Sequence, residues 1–87
     1  MQANEIEQLI KTELPDAFVK VEGADGQHFE ALIVSEKFVG MRSLSRHRLA
    51  YAGLGELISS GALHALSLRT LTPEQFAAEQ AGQEQSS

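Results

Sequence analysis

The spacing of apolar residues switches between helical and strand period along this chain, and the switches mark out the elements. Ile6, Leu9 and Ile10, with Glu13 in line, recur at helical spacing and predict a first helix from about Glu5 to Glu13. Asn4 is placed to cap it, with Glu7 three residues on as in a capping box. Pro15 disfavours helical geometry at Leu14 and stops the helix there. The period then drops to two. Phe18, Val19 and Val21 form one strand candidate, Gly23 to Gln27 a turn, and His28 to Ser35 a second strand. In that second strand Phe29, Ala31 and Ile33 share one face and Leu32 and Val34 the other, so an antiparallel hairpin is expected.

Glu36 to Ser43 reads as a loop around Gly40. A helix is expected from Ser43 or Ser45 to about Ser60, with Leu44, Tyr51, Leu54, Leu57 and Ile58 inward. Gly53 and Gly55 each cost about 1 kcal/mol relative to alanine in a helix interior, which predicts a kink or a break there. Gly61 suits a left-handed helix end. A third strand spans about His64 to Thr70. Thr72-Pro73-Glu74-Gln75 then starts a last helix, with Thr as cap, Pro in the first turn and Gln closing the box; Phe76 and Ala77 turn inward and the helix ends near Gln80. The order αββ(α)αβα predicts an α+β fold: a three-stranded mixed sheet with helices packed on one face. The third strand arrives through a helical crossover and can pair parallel. Residues 1–81 form one domain, and 82–87 read as a polar, disordered tail.

Composition narrows the function. Eighty-seven residues allow one small core and leave no room for a deep enzyme pocket. Seven basic residues against 12 acidic ones give a net charge of −5, which opposes broad nucleic-acid binding. The cations are uneven, however: Arg42, Arg46 and Arg48 fall within seven residues. With no cysteine, any metal must be held by His, by carboxylate or by a partner's thiols. The amino-terminal residues lack the basic and apolar regions of a signal peptide, and Ala31 to Val34 is too short an aliphatic run to span a bilayer, so a cytoplasmic, membrane-free address is expected.

No enzyme constellation is present: the serines lack a Ser–His–acid arrangement or a nucleophile elbow. Arg46 and Arg48 flank His47 where a helix begins. Read as chemistry, they and the free backbone N–H groups make an anion site; read as packing, they are a solvated basic turn. Arg46 or Arg48 can also pair with Glu36 or another acid. A lone histidine such as His64 at a strand head is by itself a capping or packing residue. Zinc held by His28 and His64 alone would be under-ligated. Gly23-Ala24-Asp25-Gly26 has the letters of a nucleic-acid-clamping G-x-x-G loop, but it joins two strands and reads as a turn, while Gly40-Met41-Arg42-Ser43 lacks the second glycine.

Taken together, His28-Phe29, Val34-Ser35, Phe38-x-Gly40, Arg46-His47-Arg48-Leu49, His64-Ala65 and Thr72-Pro73-x-x-Phe76 resemble the BolA family over roughly Ile6 to Phe76. The short turn before His28 is similar to the compact bacterial, IbaG-type branch. The chain departs from the family in carrying Phe76 where many relatives have Trp, and in the Gly53 and Gly55 pair.

The resemblance implies a type II KH-like fold and a non-enzymatic adaptor that pairs with a monothiol CGFS glutaredoxin around a shared 2Fe–2S cluster. Such proteins are linked to iron–sulfur trafficking and to iron or stress regulation. The matching histidine, His64, would be a cluster ligand. His28 would be the second, from the variable ligand region between the first two strands, with Asp25 a poorly suited oxygen alternative. The partner, with glutathione, would supply thiolates. Homodimerisation is left open. The rival reading is a KH-like nucleic-acid-binding regulator using Arg42, Arg46 and Arg48; a third is a plain interaction module with structural histidines.

Overall fold

The computed structural model describes residues 2–23, 28–61 and 65–86, the last four by backbone only. It contains α1 (Ala3–Glu13), β1 (Phe18–Glu22), β2 (His28–Val34), α2 (Ser43–Tyr51), α3 (Gly55–Ser59), β3 (Ala65–Leu71) and α4 (Pro73–Ser86). Single 3₁₀ turns lie at Glu36–Phe38 and Ala52–Leu54. The sheet order is β1-β2-β3, with β1 antiparallel and β3 parallel to β2. This is the α+β, mixed-sheet arrangement the pattern predicts.

Register explains the core. Val19 faces Ile33 and Val21 faces Ala31 across the hairpin, while Phe29 pairs with Leu66 and Ala31 with Leu68. By strand alternation these side chains share one face. Ile6 and Ile10 of α1, four residues apart on one helix stripe, lie fully buried against it, with Leu14, Ala50, Leu54 and Phe38. Phe38 is the largest fully buried side chain, and the 3₁₀ turn delivers it there. Ser35 caps that turn: its Oγ accepts from the Lys37 N–H at 3.1 Å and donates to Asp16 Oδ2 at 2.8 Å.

Four expectations are corrected. Asn4 lies inside α1, whose cap is Gln2 with no side-chain bond. Glu7 closes no box, because its Oε1 accepts the Val21 N–H at 2.9 Å on the outer edge of β1. The expected long helix does break, at Ala52–Leu54. Gly53 there lies so close to α1 that a Cβ would come within 2.6 Å of Leu9 O. Within α2 Ala50 takes the buried position and Leu44 is exposed rather than inward, and beyond the break Ile58 is exposed as well. Finally, α4 continues to Ser86, past the Gln80 end and through most of the stretch read as a tail. Its Ala, Glu and Gln content favours helix, and only Gly82 opposes it.

Two termini behave as read. Gly61, past the end of α3, has φ +79°, the left-handed region, a value that Gly40 in the loop shares. Thr72 Oγ1 accepts the Gln75 N–H at 3.2 Å while Gln75 Oε1 accepts the Thr72 N–H at 2.9 Å, a reciprocal capping box ahead of Pro73. Thr72→Ala is expected to destabilise the domain by about 1 kcal/mol in denaturant unfolding; an unchanged midpoint would show that α4 is not coupled to the fold.

Candidate functional site

The sheet has two ends and one open face. Side chains opposite the core, at positions 18, 20, 22, 28, 30, 32, 34 and the odd positions of β3, line that face in rows. At one end Phe18, Val34 and Leu71 form an apolar row. α4 reaches round to it: the Phe76 and Phe18 rings lie 5.9 Å apart, and Glu79 pairs with Arg69. The next rows are Lys20, Leu32 and Arg69, then Glu22, Glu30 and Ser67, with Lys20 Nζ 3.2 Å from Glu22. Glu22 and Glu30 are directly opposed, a pairing that like charges disfavour.

His28 stands beyond this acidic row. It opens β2, is exposed, and pairs in register with Ala65. Ala65 follows His64 in sequence, but His64 itself lies outside the described residues, as does the Asp25 alternative. Among the described residues no three metal-binding side chains converge. The turn Gly23-Ala24-Asp25-Gly26 also falls largely outside them.

The arginines begin toward the other end: Arg46 reaches Thr70, which is in register with Ile33, roughly 16 Å along β2 from His28. They do not act together. Arg46 is half-buried and points inward, its Nε donating to Met41 O at 3.0 Å and its NH1 to Thr70 O at 3.1 Å and Gln75 Oε1 at 3.0 Å. Its guanidinium carbon also lies 5.7 Å from the centre of the Phe38 ring. Arg46 Nε and NH1 are thus committed to neutral oxygens that tie the Gly40 loop, the end of β3 and the α4 cap, and among the described residues Arg46 forms no ion pair with an acid. Arg42, the residue before α2, and Arg48 are exposed. His47 between them is half-buried.

Sequence reasoning missed a second role for the helices. Thr70 O and Leu66 O lie on the outer edge of β3, since Leu71 O turns the other way to accept from Ser35 N–H. Arg46 covers the first, and Tyr51 Oη donates to the second at 3.3 Å. With Glu7 on β1, both sheet edges carry helix side chains on backbone groups that strand addition needs. The signal for Arg46 was there in part: Arg46 and Ala50, four apart, share the inner face of α2, which turns Leu44 and Arg48 outward. Among the described residues no helix is long and apolar enough to cross a membrane.

Comparison with known proteins agrees with this architecture. The family described as BolA-like protein matches residues 6–75. The acid stress protein IbaG of Escherichia coli (strain K12) is 35% identical over 77 residues, 88% of this chain and 90% of that protein. The DNA-binding transcriptional regulator BolA of the same strain is 43% identical over 49 residues, covering 56% of this chain and 46% of that protein. The solved structure of a bolA protein homologue from Coxiella burnetii superposes with a TM-score of 0.77 at 41% identity, covering 88% of this chain and 97% of the other. These relatives are named as a stress protein and a regulator rather than as enzymes. By sequence and by fold, this chain belongs to the BolA-like protein family.

Proposed function

We propose that the protein is a non-enzymatic adaptor that pairs with a monothiol CGFS glutaredoxin and contributes imidazole to a shared 2Fe–2S cluster, in iron–sulfur trafficking or in iron and stress regulation. The observation that carries the reading is the exposed His28 at the head of β2, beside the strand residue that follows His64. The donor chemistry fits such a cluster. Imidazole replaces thiolate on one iron of some 2Fe–2S centres, and this chain has no thiol of its own. His28 and His64 would hold the cluster from this side, and a second molecule must supply the remaining ligands. The blocked sheet edges support docking on the open face or the His28 end rather than strand pairing.

The test is co-expression with a CGFS glutaredoxin, read by visible absorption and circular dichroism. The expected result is a coloured complex whose spectrum changes on His64→Ala and on His28→Ala. A colourless mixture, or a spectrum indifferent to His64→Ala, would remove the proposal.

The rival is a nucleic-acid-binding regulator built on Arg42, Arg46 and Arg48. It is favoured by the name of the regulator matched over 49 residues. It is weakened by the inward course of Arg46 and by the net charge. Its test is DNA binding that weakens with salt and drops on Arg48→Ala; Arg46→Ala is a poor probe, since it would disturb the fold.

A further inference from the structure

The surface around the start of α2 is unlike the rest of the molecule. Val39 is 66% exposed and Leu44 62%, although both are large and aliphatic. Residues 37–55 contain Lys37, Arg42, Arg46 and Arg48, four of the seven basic residues, and no acid. With Arg46 bonded inward, Arg42 and Arg48 are the exposed arginines of the segment that also exposes Val39 and Leu44. Leu44 and Arg48, four residues apart, occupy one stripe on the outer side of α2.

This surface is also preformed. The Met41 N–H donates to Phe38 O at 3.0 Å, and the Val39 N–H to Glu36 O at 3.2 Å. Gly40 turns the chain at φ +79°, and Arg46 Nε fixes Met41 O. A loop held this firmly keeps its exposed side chains in place before a partner arrives, so little ordering entropy is lost on docking.

We infer that the Val39–Arg48 surface docks an acidic segment of a partner protein, its carboxylates meeting Arg42 and Arg48 and an apolar residue seating against Val39 and Leu44. Charge segregation on an acidic chain selects an anionic occupant. The exposed aliphatic neighbours offer a seat to an apolar side chain, which a polypeptide carries and a phosphate backbone does not. The surface uses neither His28 nor His64 and is independent of the cluster reading.

The experiment selects binders to the full chain from a random peptide library, then maps a chosen peptide by backbone amide NMR shifts. Enriched peptides should be rich in Asp and Glu with an interspersed apolar residue. The shifts should concentrate in Val39 to Arg48. Affinity should fall at least about tenfold on Leu44→Ser combined with Arg48→Gln, and should weaken with salt. Both substituted side chains are exposed, so a thermal melt should show the variant folded. Peptides with no acidic bias, or binding indifferent to the double substitution, would overturn the proposal. So would a short DNA duplex that binds these same residues while the peptides do not.

Discussion

Replacing Arg46 with alanine is expected to lower stability by about 3 kcal/mol, or about 12–24 °C in melting temperature for a domain of this size. One guanidinium donates to Met41 O, Thr70 O and Gln75 Oε1 and lies over the Phe38 ring. Each charge-assisted bond is worth about 1 kcal/mol here, after discounting for partial exposure, and the ring contact about 0.5 kcal/mol. Removing the side chain also uncovers a carbonyl on the edge of β3. Arg46→Lys should recover little, because an ammonium on a flexible stem does not reproduce a planar fork reaching three acceptors. Arg42→Ala and Arg48→Ala should stay within about 0.5 kcal/mol, as exposed side chains do. Thermal melts of the four variants check this, and an Arg46→Ala midpoint equal to that of Arg48→Ala would refute the assignment.

The second large effect is a contrast between two glycines two residues apart. Gly53→Ala is expected to destabilise by about 2 kcal/mol, the added methyl meeting Leu9 O at 2.6 Å and Glu13 Cγ at 3.0 Å. The Leu9 carbonyl belongs to the α1 backbone and cannot step aside as a side chain would. The gain of about 1 kcal/mol in helix propensity is too small to offset the clash. At Gly55 a methyl meets nothing within 4 Å, so only the propensity gain remains. Gly55→Ala should therefore stabilise by about 0.5–1 kcal/mol. Urea unfolding of the two variants should show opposite signs; a loss at both positions would mean that the break at Ala52–Leu54 is required for its own sake.

The same comparison shows what was legible. The strands were, because Phe29, Ala31 and Ile33 must share a face under any pairing that buries them. The Thr72 box was legible too, since all its partners lie within four residues. The Asn4 box was not, although its letters were as good. Glu7 meets the Val21 N–H, fourteen residues away, and only the packing of α1 beside β1 brings that donor within reach. The candidate histidines were legible as residue types, and the structure adds the exposed setting of His28 and its register with Ala65. The arginine group was legible as a charge run, but its division into one inward and two outward members was legible only in part, through the four-residue spacing of Arg46 and Ala50.

The chain by itself determined the period of each element, the glycines that turn or break it, the absence of thiols and the family pattern. These are local properties, fixed by side-chain sterics and by residue type. Only the tertiary structure decided that a charged residue at 46 goes inside while a leucine at 44 stays in water. Hydropathy argues for the reverse. The carbonyls of Met41 and Thr70 meet at that spot only after the sheet has closed, and a polar group left there without a donor would cost more than an exposed aliphatic side chain.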